Sequence, residues 1–520
     1  MIQNCLLDGT EDEKERTEIA KSTIINLTTQ WAIAKHEKIL LVVETLYHNA
    51  VINKDVKEFL NKKYKIINNK LHYNTDVICP LAWNHLSTFT NGDIRGCCEM
   101  IGKDVDYGKI YGNDKKIVSV HTHKLEQARN SDLYKKIRLE MVNGDKPQEC
   151  NHCYSQENLN KGSKRLASIS KYSQEIPDYI LNTDLITGNI NSSKVSLRDL
   201  DLRFGNSCNL KCTTCGPQDS NLWYEDYYKL EKQNTANDIV YFPYYGSSDK
   251  YGIEYKDGDY KITKNNFVYS SNSEFFKDIL NNLDNVDTLY FTGGEPTINA
   301  QHKKLLKYCI EGNFSSKINI EYNSNLNSLP LYLLKYWKEF KHINFSASID
   351  GHENVQEYMR PPSKWSTIEK NYKILKDYDS EKISIYIHPT YSIFNILNVR
   401  HLVEWNMKIT NKNFNEIYNG HILRFPNQFC ISNLPILVKK DIKEIYEKWF
   451  EKLASKITTE NLNQIKQHFT SVLKFMDTPE NPEQFQFFLN HTKKLENIRK
   501  NSHLRCLELK NLLDKHSILQ

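Results

Sequence analysis

Three closely spaced cysteines follow a short apolar stretch near the middle of the chain. The stretch covers residues 200–204, and the cysteines after it are Cys208, Cys212 and Cys215. Their C-x3-C-x2-C spacing places three thiols on one tight loop directly after a predicted strand. Such a loop suits a [4Fe–4S] cubane with one open iron, because a closed electron-transfer site normally uses four cysteines. It also suits part of a zinc site completed from elsewhere, or buried thiols without a metal.

Short alternating-apolar stretches and longer helical ones succeed each other from about residue 196 onward. The predicted strands span residues 200–204, 286–291, 317–322, 343–348, 383–388 and 421–425. The predicted helices between them span about 299–312, 331–340, 367–378 and 395–405. This alternation is typical of parallel strands joined by helical crossovers. Six strands predict an α/β fold, a partial (β/α)6 TIM-like barrel, with its site outside the carboxyl ends of the strands.

A second motif follows the second predicted strand, where Gly293, Gly294 and Glu295 precede a proline. Alone, this string suits a strand-end turn. Together with the cysteine loop, it resembles the radical S-adenosylmethionine (SAM) superfamily. The resemblance implies that the three cysteines hold a catalytic [4Fe–4S] cluster and that SAM chelates the open iron. It further implies that SAM is cleaved to a 5′-deoxyadenosyl radical, which abstracts hydrogen from a substrate. In this family the two glycines and the glutamate contact the SAM amino group.

Further residues at predicted strand ends match SAM contacts of the same family. Asn323 and Ser348 would meet the methionine or ribose part of SAM, and Arg360 its carboxylate, because a guanidinium matches a carboxylate bidentately. Without the family context, these residues suit a turn and a surface ion pair. His388 can approach the site or serve the fold. The residue before the third cysteine, often aromatic in the family, is Thr214, so the adenine contacts are left unassigned.

A second group of cysteines lies upstream: Cys79, Cys97, Cys98, Cys150 and Cys153. An Asn-Gly turn at residues 91–92 predicts a β-hairpin that brings Cys79 near Cys97 and Cys98, and the later C-x2-C completes four thiolates. The pattern resembles the SPASM/twitch auxiliary cluster domain, which usually follows the radical SAM core but precedes it here. The resemblance implies a second iron–sulfur cluster, expected to be [4Fe–4S], with Cys97 favoured over Cys98. Four thiolates also suit a structural zinc.

Composition and charge exclude several classes of partner. The net charge of +5 is spread over 69 basic and 64 acidic residues, so we expect no nucleic-acid partner. The apolar stretches are too short to span a bilayer, and the N-terminal residues lack the apolar segment of a secretory signal. We therefore expect a cytoplasmic protein that does not enter a membrane. Cysteines stay reduced in that compartment, which favours metal ligands over disulfides.

These patterns predict four regions. They are a helical region of unknown role at 1–75, a small cysteine-rich α+β twitch-like domain at 76–168, the radical SAM core at 196–435 with an insertion at about 225–272, and a helical region at 436–520.

The resemblance implies an oxidoreductase-type radical SAM enzyme that receives electrons from a donor such as flavodoxin or ferredoxin. We expect the substrate to be a peptide or protein side chain. An alternative is dehydrogenation of a small sugar alcohol or aminoglycoside-type metabolite. A non-catalytic zinc or iron–sulfur binding protein is a third possibility.

Overall fold

The computed structural model describes most of the chain after residue 63. The described residues are 64–67, 70–73, 76–100, 110–112, 115–158, 162–233, 252–263, 267, 273–378, 381–501 and 506–518. The predicted helical region 1–75 therefore lies almost entirely outside them. Its described part differs from the prediction, because Tyr64–Ile67 and Lys70–Tyr73 pair as an antiparallel hairpin.

The described elements are as follows. The strands are β1 (Tyr64–Ile67), β2 (Lys70–Tyr73), β3 (His85–Thr88), β4 (Ile94–Arg95), β5 (Asp199–Leu202), β6 (Ile253–Lys256), β7 (Asp259–Ile262), β8 (Thr288–Phe291), β9 (Asn319–Ser324), β10 (His342–Ala347), β11 (Ile383–Ile387), β12 (Thr390–Tyr391) and β13 (His421–Ile422). The helices are α1 (Leu81–Asn84), α2 (Leu125–Arg129), α3 (Asp132–Val142), α4 (Asn151–Asn158), α5 (Lys164–Tyr172), α6 (Ile176–Leu181), α7 (Trp223–Gln233), α8 (Glu274–Leu280), α9 (Ala300–Glu311), α10 (Leu331–Trp337), α11 (Asn354–Met359), α12 (Trp365–Lys376), α13 (Val399–Thr410), α14 (Phe414–Ile417), α15 (Ile436–Ala454), α16 (Thr459–Met476), α17 (Pro482–Arg499) and α18 (Leu507–Lys515).

The chain divides into two compact units. The first comprises residues 1–88, 93–201 and 270–286, and the second comprises residues 89–92, 202–269 and 287–520. Each unit includes residues from more than one of the regions predicted from the sequence. The helices of the C-terminal region belong to the same unit as the parallel strands β8–β11.

The first unit is built around a small sheet and an aromatic core. Strand β3 pairs antiparallel with β4, as the Asn-Gly turn predicts, and parallel with β5. The indole of Trp83 is buried and stacks on Tyr179 with 6.4 Å between ring centroids. Its Nε1 donates to Thr183 Oγ1 at 2.8 Å. The buried guanidinium of Arg138 donates to backbone carbonyls, including that of Ala82 at 2.8 Å, which satisfies its charge-bearing N–H groups inside the core.

The second unit contains four parallel strands in the order β8–β9–β10–β11. Helix α9 connects β8 to β9, α10 connects β9 to β10, and α11 and α12 connect β10 to β11. The register places Leu289, Ile320, Ile343 and Ile383 in one row across these strands. Side chains alternate between the faces of a strand, so such rows build a continuous core. The predicted parallel strands with helical crossovers are confirmed over this segment.

The sixth predicted strand differs from expectation. Only His421–Ile422 is a regular strand, and it pairs with Thr390–Tyr391 in a separate two-stranded ladder. Just before it, Tyr418 forms an isolated parallel bridge with Ile387 at the end of β11. Pro389 follows β11 closely and has no N–H to donate, which interrupts the hydrogen-bonding edge there.

Two other regions follow the sequence pattern more closely. The described part of 436–520 is helical, as predicted. In the predicted insertion, helix α7 and the β6–β7 hairpin are described, whereas residues 234–251 lie outside the described part of the chain. No helix in the described ranges has the length and apolar character that crossing a bilayer requires.

A buried histidine in the second unit generates a prediction about pH. Burial lowers the pKa of His302 from 6.5 to about 3, while its Nε2 shares a 2.8 Å hydrogen bond with Tyr322 Oη. Below pH 6.5 the unfolded chain binds a proton on this imidazole and the folded chain does not. As the pH is lowered from 6.5 to 3, the free energy of unfolding should therefore decrease by about 1.4 kcal/mol per pH unit for this group. His302→Gln should reduce that slope in urea unfolding at pH 6.5 and 5.0, and equal slopes would contradict the prediction.

Candidate functional site

The cysteine loop begins with a backbone turn that only glycine fits well. Gly205 has φ +87°, and a Cβ at this position would lie 2.3 Å from the backbone oxygen of Phe267. The next residue, Asn206, donates from Nδ2 to the carbonyl of Pro217 at 2.7 Å. The amide N–H of Cys208 donates to Asn221 Oδ1 at 3.0 Å. These two hydrogen bonds join the start of the loop to residues 217 and 221, which follow its last cysteine.

The second half of the loop is held by another segment of the second unit. The amide N–H of Lys211 donates to the carbonyl of Pro361, and that of Thr213 donates to the carbonyl of Met359, both at 2.7 Å. These bonds flank Cys212 and fix it against the segment that carries Arg360. The indole Nε1 of Trp223 donates to the Cys212 carbonyl at 2.9 Å, which fixes the same residue from the other side.

Arg360 connects a thiol of the loop to a buried carboxylate. Its Nη1 lies 3.7 Å from Cys212 Sγ, and its Nε donates to Asp350 Oδ2 at 2.6 Å. The other carboxylate oxygen of Asp350 accepts the Thr390 N–H at 2.9 Å. Burial alone would lower the pKa of Arg360, but the Asp350 carboxylate raises it above its usual value. The guanidinium therefore stays charged beside the loop, and its pairing with Asp350 is a feature that the sequence motif did not reveal.

The thiols themselves differ in their protonation. The hydrogen bond from Cys215 lowers the pKa of Cys212, and the guanidinium of Arg360 acts in the same direction. Burial raises the pKa of Cys208 above its usual range. The side chain of Asn325 reaches this thiol, with Nδ2 at 3.8 Å from Cys208 Sγ and at 2.8 Å from Asn209 Oδ1. The sequence singles out a polar segment at the end of β9 from which Asn323 was the predicted SAM contact, whereas the structure brings Asn325 to the thiol.

Glu295 joins the ends of two parallel strands. Its carboxylate is buried, and Oε1 accepts the N–H and the hydroxyl of Thr297 at 3.1 and 2.7 Å and the hydroxyl of Ser324 at 2.8 Å. Oε2 accepts the N–H of Asn325 at 2.8 Å. Burial raises the pKa of Glu295 in spite of these donors. An ionised carboxylate has about four acceptor positions, so Oε2 retains room for one more donor.

The two glycines before Glu295 allow a close approach to the cysteine loop. Gly293 has φ +82°, and a Cβ there would lie 2.8 Å from the Arg203 side chain. A Cβ on Gly294 would lie 2.3 Å from the backbone oxygen of Ser207. The N–H of Glu295 donates to that same oxygen at 2.8 Å. The structure therefore brings the predicted Gly-Gly-Glu residues against the residue that precedes Cys208.

The remaining predicted residues lie at the same carboxyl ends but make other contacts. Asn323 donates from Nδ2 to Tyr290 Oη at 2.7 Å. Ser348 is half-buried, and its N–H donates to the Ser324 carbonyl at 2.8 Å. His388 shares a 2.9 Å hydrogen bond with His421, and burial lowers the pKa of His388 to about 4. These three residues lie at the carboxyl ends of the strands, and the contacts described for them are with other residues of the strand ends.

In the first unit, four of the five upstream cysteines line one cavity. They are Cys79, Cys97, Cys150 and Cys153, and the wall includes Met100, Tyr134, Met141, Lys164 and Arg165. Cys98 is instead 3.2 Å from Lys164 Nζ. Burial raises the pKa of Cys79 to about 11 and that of Cys150 well above its usual range. A bound metal removes such protons, because the thiolate is the ligand form.

A charged pair supports the wall of this cavity. The guanidinium of Arg165 pairs with Glu157 and donates from Nη1 to the carbonyl of Ile78 at 3.0 Å, directly before Cys79. The same guanidinium lies over the Tyr154 ring, 5.1 Å from its centroid. In the described ranges, no three His, Cys, Asp or Glu side chains converge on a position for a single ion. The cysteines of a cubane each bind a different iron, so a cluster does not need such convergence.

The close approach at Gly294 gives a testable prediction. In Gly294→Ala the new methyl group would overlap the Ser207 oxygen, so we expect a loss of about 1–3 kcal/mol in the free energy of unfolding, measured by urea denaturation. Gly162→Ala is the control, because a Cβ there meets no atom within 4 Å. Equal stability of the two variants would contradict the geometry.

Comparison with known proteins agrees with part of the sequence resemblance. Residues 202–403 match the family model described as Radical SAM superfamily. Two similar solved structures are titled "Native anSMEcpe with bound AdoMet" (16% identity, TM-score 0.30) and "Native anSMEcpe with bound AdoMet and Cp18Cys peptide" (15% identity, TM-score 0.28). The alignments cover 48% of this chain and 60% and 59% of those chains, so this chain spans about three fifths of their length. No curated protein matches the sequence. The segment that matches the radical SAM model, 202–403, contains the three loop cysteines.

Proposed function

We propose that this protein is a radical SAM enzyme in which Cys208, Cys212 and Cys215 hold a [4Fe–4S] cluster with one open iron. The observation that carries the proposal is the set of thiols on one closed loop inside the radical SAM domain, with Arg360 at 3.7 Å from Cys212 and Asn325 at 3.8 Å from Cys208. Once reduced by an external one-electron donor, such a cluster would pass that electron to SAM, whose sulfur–C5′ bond would break to give methionine and a 5′-deoxyadenosyl radical able to take hydrogen from a substrate.

The residues around the loop have separate roles in this proposal. Glu295 accepts the SAM ammonium group at the free position of Oε2, since its carboxylate is buried and its own N–H donates to the Ser207 carbonyl just before Cys208. Gly293 and Gly294 have no side chains, which lets the amino acid part of SAM approach the protein backbone closely. Arg360 uses one nitrogen for Asp350 and has further N–H groups for the SAM carboxylate. Ser348 stands beside that carboxylate.

Asn323 has a weaker place among these contacts. One N–H of its amide is already donated to Tyr290, so its carbonyl oxygen and one remaining N–H are left for SAM.

The upstream cysteines are proposed to hold a second cluster. Cys79, Cys97, Cys150 and Cys153 line a single cavity, which favours a fully ligated [4Fe–4S] cluster. Cys98 is the spare thiol, because it does not line that cavity, although its Sγ lies 3.2 Å from Lys164 Nζ in the cavity wall. A fully ligated cluster can accept an electron from a substrate radical, which suits oxidative chemistry. Four thiolates would equally suit zinc, so metal analysis decides between the two.

For the substrate, a peptide or protein side chain is the first candidate, and a small sugar alcohol or aminoglycoside-type metabolite is the second. The two differ in their products. The first leads to a modified residue in a peptide, and the second to a small molecule that has lost two hydrogens. A low-potential donor such as flavodoxin or ferredoxin would supply the electron.

Anaerobic reconstitution tests the activity itself. We expect about eight irons per chain, four for each cluster, and 5′-deoxyadenosine after addition of dithionite and SAM. Cys212→Ala should abolish 5′-deoxyadenosine formation while about half of the iron persists. The isolated thiol variant Cys309→Ala is the control, since Cys309 is buried in helix α9. Bound zinc and no SAM cleavage by the wild-type chain would refute the proposal.

A pair of variants tests the ligand choice in the second site. Cys97→Ala should lose the auxiliary cluster, because this thiol lines the cavity with the other three. Cys98→Ala should retain it, because this thiol contacts Lys164 instead. Iron content and the electron paramagnetic resonance signal that does not respond to SAM give the readout. The opposite pattern would exchange the roles of the two cysteines.

A further inference from the structure

The last turn of helix α17 (Pro482–Arg499) contacts the cysteine loop, although it lies outside the segment 202–403. Arg499 donates from Nε to Asp226 Oδ2 at 2.7 Å and from Nη1 to Thr213 Oγ1 at 3.4 Å. Its guanidinium lies 4.5 Å from the ring centroid of Trp223, which itself donates to the Cys212 carbonyl. The side chains of Arg499 and Asp226 are only 5% and 2% exposed. A buried cation therefore stands directly behind the loop.

Two neighbouring residues of the same turn reinforce this contact. Leu495 belongs to an apolar cluster with Trp223 and other residues, and Cys215 packs against that cluster. Glu496 accepts the hydroxyl of Tyr358 at 3.0 Å, in the segment whose backbone holds Thr213. Residues four apart share one face of a helix, so Leu495 and Arg499 meet the loop together.

The guanidinium of Arg499 has an N–H group left over. Nη2 is buried and has no acceptor among the described residues. Buried donors in folded proteins are almost always paired with protein, water or a ligand. The charge around it is also unbalanced, because Asp226 is shared between Arg499 and Lys211, with the latter at 2.9 Å. Within this trio of side chains, two cations share one carboxylate.

We propose that Arg499 is a positioning residue of the cluster site, holding the Thr213 turn and directing its spare N–H and its charge toward the cluster bound there. The inference rests on the proposed function. N–H donors and positive charge stabilise the reduced state of an iron–sulfur cluster, because reduction adds one negative charge. The C-terminal helical region then completes the radical SAM site and tunes its potential.

The test compares matched variants of the full reconstituted chain. Arg499→Met removes the cation, and Arg499→Lys keeps the charge without the planar fork. Arg400→Met is the control, because Arg400 pairs at 2.5 Å with Glu508 and lies over the Tyr446 ring, apart from the cysteine loop. The readout is the midpoint potential of the SAM-responsive electron paramagnetic resonance signal, titrated anaerobically, together with iron content.

We expect Arg499→Met to shift this potential to more negative values, Arg499→Lys to shift it less, and Arg400→Met to leave it unchanged. Asp226→Asn should shift it in the opposite direction, because it removes the only carboxylate of the trio. A purely structural role would give losses of iron in both variants, without shifts of the midpoint potential in opposite directions in Arg499→Met and Asp226→Asn.

Other results would overturn the inference. They are a wild-type potential in Arg499→Met with full iron, or equal shifts in Arg499→Met and Arg400→Met. If Arg499→Met does not fold, Arg499→Lys decides, and an unaltered signal and potential in that variant would reject the role. A wild-type chain without any SAM-responsive cluster would instead refute the proposed function.

Discussion

Two backbone hydrogen bonds hold the candidate site together. They run from the amides of Lys211 and Thr213 to carbonyls of the Met359–Pro361 segment, and they fix Cys212 between them. Backbone donors leave the thiol free, so the loop gains rigidity without losing a ligand atom. The same pairing sets Arg360 beside the thiol, because Arg360 lies between the two acceptor residues. The same two hydrogen bonds therefore position both the Arg360 guanidinium and the Cys212 sulfur.

The carboxyl ends of the parallel strands meet this loop through a second set of contacts. Glu295 collects four hydrogen bonds from residues after β8 and at the end of β9, which fixes the relative height of the two strand ends. Its N–H also reaches Ser207, one residue before the first cysteine of the loop. A carboxylate held this firmly is oriented before any ligand binds, and such preorganisation favours binding and catalysis.

The parts of the structure that depend on local sequence patterns could be predicted from the sequence. Strands β8–β11 and their crossovers follow from hydrophobic periodicity, and the cysteine loop follows from its spacing. The pairing of Arg360 with Asp350 could not be predicted, since it depends on how the turn after β10 folds. The Arg499–Asp226 pair joins residues 273 positions apart, and no local signal announces such a contact. The strand predicted at 421–425 is shorter in the structure, where His421–Ile422 pairs with Thr390–Tyr391 just after Pro389.

The contact between Arg499 and Thr213 has a consequence for biosynthesis. These residues are 286 positions apart, so at 5–20 residues per second the ribosome needs roughly 15–60 seconds to deliver the second after the first. During that interval the loop thiols are outside the tunnel while one wall of their pocket does not yet exist. If the loop holds the proposed cluster, the pocket around that cluster is complete only after the carboxyl-terminal helix has been synthesised.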